Sequence, residues 1–444
     1  MESFPTNSIH RYNRRTKLFI AEQHVHIDQA SKADAENMIS QLEASYQQLA
    51  SSQLNLDLTR GKPSPAQVAL ASDLDGILQG NYVDADGIDT RNYGGLAGIR
   101  EARELCAAIS GCDPDQTLLG VNSSLNLMYQ VVEFALNFGL QGDAWKQSGA
   151  VRILCPVPGY DRHFALCEHL GIDMVPLPMT ATGPDMDQAE ALVREDPAIK
   201  GIWCVPRFSN PSGDTYSSAT VERLAKLGKI AGAGFLVLWD NAYAVHSLYE
   251  DAPVLPAIDH YLDAETESSV VQFGSTSKIT FAGAGLAWLC SSADNIKRIS
   301  SHLAFSTIGA DKVNQLRHVR FLQNRAGVEA HMRKHAELVR PRFELVLKLL
   351  EEELEGSGLA TWTKPKGGYF IQLNTRRGLA REVVKLAADI GVKLTPAGAT
   401  WPYGRDPRDS DIRLAPTFPD HNELEAAVRA FIVCLKLASW RQLR

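Results

Sequence analysis

The chain has 444 residues, 45 Lys+Arg against 52 Asp+Glu, and a formal net charge of −7. Hydrophobic residues make up 45% and charged residues 22%, an ordinary globular composition with enough core for two or three domains. This excludes a collagen, a disordered tail or a disulfide-stapled mini-protein, and the mild acidity gives no electrostatic footprint for nucleic acid or an anionic membrane.

Residues 1–30 read as an N-terminal arm. Arg11, Arg14, Arg15 and Lys17 face only Glu2 as an acid before Glu22, and no amphipathic face develops. Ser31 and Asp34 then form an S-x-x-D capping pattern, followed by Met38, Ile39, Leu42, Tyr46 and Leu49 at helical spacing. Residues 55–59 alternate apolar and polar before Arg60-Gly61-Lys62-Pro63 breaks the pattern. From about residue 76, short apolar runs alternate with helical stretches. The runs are 151–155, 172–176, 202–205, 235–239, 270–273 and 286–290, and all lack alternation, as expected of strands covered on both faces. A helical stretch over 312–355 follows, which Pro341 is expected to kink or split. Residues 366–371 read as a turn entering a strand.

The expected fold class is α/β. A large domain over 76–324 carries a mostly parallel mixed sheet covered by helices, and a smaller α+β domain is assembled from 31–75 and 325–444. No apolar run reaches the ~18–20 residues that cross a bilayer, and the best, 279–290, is broken by Gly283 and Gly285. Seven scattered cysteines without a C-x-x-C read as reduced core thiols, which places the chain in the cytoplasm. His331 and His335 have metal-ligand spacing, but no third ligand accompanies them, so no metal is expected.

Five segments carry chemistry. Lys278 ends Ser275-Thr276-Ser277-Lys278, just after a buried strand, where apolar surroundings can turn a lysine into a nucleophile. Asp240 ends a strongly apolar strand, the place where α/β sheets bind ligands, and should face a cation there. Asn210-Pro211-Ser212-Gly213 follows another strand end, with a simple turn as its alternative reading. Arg413 lies inside an apolar run and needs a planar anionic partner, either a ligand carboxylate or a structural acid. Ser123 and Ser124 open a helical pattern, where free N–H groups suit a phosphate; an ordinary N-cap is the alternative.

This ordered set, Asn210-Pro-Ser-Gly, Asp240-x-Ala-Tyr243, Ser275-x-Ser-Lys278 and Arg413, resembles the fold-type-I aminotransferases that use pyridoxal 5′-phosphate (PLP). With Asp57-Leu-Thr-Arg-Gly61-Lys-Pro and Gly120-Val-Asn-Ser123-Ser124, it is most similar to the bacterial type Ic aspartate aminotransferases. The resemblance implies that Lys278 carries the cofactor and moves the proton between the substrate α-carbon and cofactor C4′. Asp240 would keep the pyridine nitrogen protonated, and Tyr243 and Asn210 would bond the phenolic oxygen. Ser123, Ser124 and Ser275 would hold the phosphate. Arg413, helped by Asn210 and the backbone near Gly61, would grip the substrate carboxylate. Tyr160, in Pro156-Val-Pro-Gly-Tyr160, resembles the aromatic that stacks on the pyridine, and Tyr93 resembles the tyrosine that reaches the neighbouring subunit's cofactor. Both have core aromatics as their alternative reading. The second role implies a homodimer with shared sites, acting on small amino and keto acids.

One departure stands out. The family's phosphate-binding Arg, a few residues after the lysine, is missing from Ile279-Thr-Phe-Ala-Gly-Ala-Gly285. Aspartate with 2-oxoglutarate is the expected substrate pair, and Arg60, Lys62, Arg207 or a residue of the partner subunit are candidates for the distal carboxylate. The competing readings are a PLP-dependent β-lyase or decarboxylase, since a cofactor site does not fix the reaction, and a PLP-binding regulatory protein.

Overall fold

The computed structural model describes residues 26–59 and 61–444, so the arm residues Arg11, Arg14, Arg15 and Lys17, and also Arg60, lie outside the described residues. The strands in chain order are β1 (Leu56–Asp57), β2 (Thr117–Leu119), β3 (Arg152–Val157), β4 (Asp173–Thr180), β5 (Gly183–Pro184), β6 (Ile199–Cys204) and β7 (Leu236–Asp240). They continue with β8 (Val270–Ser275), β9 (Ala287–Cys290), β10 (Ala360–Trp362), β11 (Ile371–Thr375), β12 (Val392–Lys393) and β13 (Asp411–Leu414). Eight of them form one sheet in the order β2-β9-β8-β7-β6-β3-β4-β5.

Within that sheet β4, β3, β6, β7 and β8 run parallel, while β9 is antiparallel to both β8 and β2. Helices cover both faces, which explains why every residue of β7 is buried. The fold class is therefore α/β, as expected. β4 departs from expectation: Met174 and Leu177 are buried while Asp173, Pro176, Pro178 and Thr180 are exposed. Only the two-residue β5 lies beyond it, so this strand near the sheet edge is less completely covered than the central ones. β2 and β5 are too short to have left a pattern in the sequence.

Parallel order has a functional consequence. Because β3, β6, β7 and β8 point the same way, their carboxyl ends share one edge. Tyr160, Asn210, Asp240 and Lys278 follow or end these four strands, so residues over 100 positions apart in sequence converge there.

A second core draws on both ends of the chain. Ile39, Leu42 and Leu49 of helix Lys32–Ser51 pack with Phe343 and Leu349 of helix Arg325–Leu354 and Phe431 of helix His421–Arg441. The capping pattern at Ser31 and Asp34 is present, with Ser31 Oγ accepting from Asp34 N at 3.1 Å and Asp34 Oδ2 accepting from Ser31 N at 2.9 Å. β10, β11 and β13 form an antiparallel sheet here, and β13 carries Arg413.

The 312–355 stretch does break, but not at Pro341. Helix Lys312–Leu322 ends at Gln323, which takes φ 61°, and Asn324 caps helix Arg325–Leu354 by accepting from Gly327 N at 3.1 Å. Pro341 stays inside that second helix, where Arg342 Nη1 donates to the Leu338 carbonyl at 3.0 Å. A side-chain donor thus serves a carbonyl beside the missing proline N–H. All seven cysteines are free, and among the described residues no helix is long and apolar enough to cross a membrane.

Candidate active site

A cavity of about 250 Å³ opens at the carboxyl edge of the parallel strands. Lys278, Asp240, Tyr243, Asn210, Tyr160, Ser123, Ser124 and Ser275 all line it. The sequence-predicted residues outside this lining are Arg413, Gly61 and Tyr93.

Lys278 Nζ lies 5.1 Å from the Tyr243 ring centroid and 5.9 Å from that of Tyr369. Burial pushes its amine below the usual lysine range, and the Asp240 charge opposes this only in part. Asp240 is 2% exposed. Its Oδ2 accepts from His163 Nε2 at 3.0 Å, while Oδ1 is buried without a partner among the described residues. An orphaned carboxylate oxygen facing a cavity is costly unless a ligand N–H completes it.

His163 is the residue that the sequence reading missed. It stacks on Trp203 with ring centroids 4.1 Å apart and 8° between planes, and it meets Tyr160 edge-on at 4.9 Å. Tyr160 is the N-cap of helix Asp161–His169, so a residue three positions later returns to the same side of the first turn. That i, i+3 relation to Tyr160 was the available signal.

Helix Ser124–Asn137 begins just after Ser123. Ser123 holds the N-cap position without a side-chain capping bond, and Ser123, Ser124 and Ser275 line the cavity beside this helix N-terminus.

Arg413 borders the cavity from β13. Its Nη1 donates to Asn210 Oδ1 at 3.1 Å and to Asp161 Oδ1 at 2.9 Å; Nη2 reaches Thr395 Oγ1 only at 3.4 Å, and Nε has no partner among the described residues. Nη1 is thus anchored twice, while Nε without a partner and Nη2 with one long bond form the edge that a carboxylate could take. The ion pair with Asp161 supplies a structural acid without using that edge. Phe370 packs on the guanidinium at 4.8 Å, and Gly61 lies beneath Phe370, where an added Cβ would come within 2.2 Å of Phe370 Cζ.

The family model for aspartate aminotransferase matches residues 30–444. The chain belongs to that family. It is a PLP-dependent aminotransferase of fold type I. An aspartate aminotransferase of Corynebacterium glutamicum is 43% identical over 398 residues, covering 89% of this chain and 92% of its own. A Mycolicibacterium smegmatis protein assigned as an aminotransferase is 45% identical over 400 residues, covering 89% of this chain and 93% of its own. The crystal structure of an aspartate transaminase from C. glutamicum superposes with TM-score 0.91 at 40% identity, over 95% of this chain and 100% of that one.

The aminotransferase cavity fits PLP on its own evidence. It pairs a buried, half-satisfied carboxylate with a lysine whose burial favours the neutral amine, and serine hydroxyls beside a helix N-terminus suit a phosphate. The stretch after Lys278 that lacks the family's Arg packs closely: a Cβ at Gly285 would meet Thr276 Oγ1 at 2.8 Å and Ser277 N at 3.2 Å. Neutral amides tie the loop: Asn122 Nδ2 donates to the Gly283 carbonyl at 2.9 Å, and Asn314 Nδ2 to the Ala284 carbonyl at 3.0 Å.

Of the candidates for a distal carboxylate, Arg207 is otherwise engaged. It donates to the Ala244 and Pro253 carbonyls and to Ser247 Oγ, and burial pushes its guanidinium down to about 10. Lys62 Nζ rests 3.8 Å from the Phe418 ring centroid. Tyr93 is 84% exposed, which corrects the core-aromatic alternative and leaves its ring free for a partner.

Gly61→Ala is expected to push Phe370 off Arg413, raising KM for amino and keto acid about 10-fold with the fold intact. Steady-state kinetics beside a thermal melt check this; an unchanged KM would show that Phe370 does not steady the guanidinium.

Proposed function

We propose that this aminotransferase moves the amino group of L-aspartate to 2-oxoglutarate by a ping-pong mechanism, through two half-reactions at one site. The observation that carries the site assignment is the convergence of Lys278 with the half-satisfied Asp240 in a single cavity. The relative named aspartate aminotransferase, at 43% identity, supports the substrate.

When bound, the cofactor supplies an electron sink for the pair released at the substrate α-carbon. Lys278 Nζ moves the proton of that carbon, aided by burial that favours its uncharged form. Asp240, fixed by His163, holds a proton on the pyridine nitrogen through Oδ1. Tyr243 and Asn210 orient the ring oxygen, and Tyr160 excludes water from one face. Ser123, Ser124 and Ser275 bind the phosphate. Arg413 orients the α-carboxylate with its free edge, and the backbone at Gly61 supports it through Phe370.

In this reading two chains form a homodimer and Tyr93 completes the partner's site, which its exposure permits. Residues 76–324 act as the large domain, with 31–75 and 325–444 as the small one. Seven free thiols support a cytoplasmic enzyme.

The test is a single half-reaction. Mixing the holoenzyme with L-aspartate should convert its spectrum to the pyridoxamine form and release oxaloacetate. With L-cysteine, release of pyruvate, ammonia and sulfide would instead establish the lyase, and release of CO₂ with alanine from L-aspartate the decarboxylase.

A further inference from the structure

Four of the chain's 12 histidines are packed behind one turn, residues 276–280, which carries Lys278. None lines the cavity. His246, His318, His331 and His335 are all buried, at 4%, 0%, 6% and 2% exposure. Burial pushes His246 down to about 3 and His318 and His335 to about 4, and it also lowers His331, so all four are neutral near pH 7.

Their hydrogen bonds can be assigned one proton at a time. Gln67 Oε1 accepts from Ser64 N at 3.0 Å, which fixes the amide and makes Nε2 the donor to Tyr369 Oη at 3.0 Å and His335 Nδ1 at 3.3 Å. His335 therefore carries its proton on Nε2. His331 Nε2 must also be protonated, because it donates to the Ile279 carbonyl at 2.8 Å. The two Nε2 atoms are 3.1 Å apart and cannot bond each other in these tautomers. The Ile279 carbonyl takes the His331 proton, and its negative end also favours the His335 N–H beside it. His246 Nε2 donates to the Lys278 carbonyl at 3.4 Å. On the other side of the turn, His318 Nδ1 donates to the Asn314 carbonyl at 2.8 Å, leaving Nε2 to accept from Thr280 Oγ1 at 2.9 Å.

The successive carbonyls of Lys278 and Ile279 and the hydroxyl of Thr280 are thus each held by imidazole. A turn often leaves such groups to water, and here imidazole rings take that place. We propose that these histidines are positioning residues for the reaction: they pin the backbone of the lysine turn so that Nζ is held in reach of the substrate α-carbon, with Gln67 and Tyr369 tying the pin to the other lobe. The proposal rests on the reading of Lys278 as the cofactor-bearing lysine. It explains the His331/His335 spacing without a metal, and among the described residues no group of three or more His, Cys, Asp or Glu could hold one.

The test compares two amides that differ in reach. His331→Gln places an N–H where Nε2 stood, while His331→Asn stops one carbon short of the Ile279 carbonyl. A lysine displaced by about 1 Å can lose up to 10²-fold in rate. The Gln variant should therefore retain kcat within about 3-fold, and the Asn variant should lose about 10- to 100-fold with KM nearly unchanged. The cofactor-free Asn protein should also capture PLP more slowly, and its bound cofactor should show altered visible circular dichroism. Equal kcat, capture rate and dichroism in the two variants at equal folded fraction would overturn the proposal. The same pair at His246, whose Nδ1 has no partner among the described residues, repeats the comparison if His331→Asn does not fold. Borohydride reduction of the unmutated holoenzyme separates the two claims: an adduct on another lysine overturns the Lys278 reading, whereas an adduct on Lys278 with matched variants overturns only the histidine pin.

Discussion

Asp240→Asn is expected to lower kcat/KM on the order of 10³-fold while leaving the cofactor-free protein at least as stable as before. The two effects have one cause. Asp240 Oδ2 takes the His163 N–H, but Oδ1 is buried with no partner among the described residues, so the apoprotein bears the desolvation of half a carboxylate. The neutral amide removes that burden. It also removes the charge that holds a proton on a bound pyridine nitrogen, which an amide of the same shape cannot replace. Steady-state kinetics and a melt of the apoprotein check both halves. A large fall in apoprotein stability would mean that Asp240 is structural, and near-normal kcat/KM would place the pyridine nitrogen elsewhere.

The second large effect is expected at Arg413. Arg413→Lys keeps the charge but loses the fork, and with it one of two charge-assisted bonds to a substrate carboxylate together with the stack on Phe370. That is worth about 3 kcal/mol, or roughly 10²-fold in kcat/KM. Because the carboxylate is held in both ground and transition states, the loss should fall mainly on KM. Amines without a carboxylate should react equally poorly with both proteins. If KM for L-aspartate and 2-oxoglutarate stays within 2-fold, Arg413 serves only its ion pair with Asp161.

The parts of this molecule readable in advance are those where chemistry restricts the residue type. A strand-ending Asp, a lysine after a buried strand and an arginine inside an apolar run each violate local patterning, and all three meet or border one cavity. The parallel sheet was readable because burial on both faces leaves uninterrupted apolar runs, as in β7. What escaped was decided by tertiary partners. His163 looks like any buried histidine until Asp240 is placed 77 positions away against it. Pro341 drew the expected helix break, yet Asn324, with its side chain on Gly327 N, marks the true one. His331 and His335 advertised metal spacing, but the partner of His331 is a backbone carbonyl and that of His335 the Gln67 amide, which no local pattern announces.

No basic residue stands between Lys278 and Gly285, and the candidate phosphate donors are Ser123, Ser124 and Ser275, which line the cavity beside a helix N-terminus.

The central claim is that Lys278 bears the cofactor. Borohydride reduction of the purified holoenzyme, followed by peptide mapping, tests it most directly. The expected result is a pyridoxyl group on the peptide containing Lys278 and none in Lys278→Ala. An adduct on a different lysine, or one that persists in Lys278→Ala, would contradict the account.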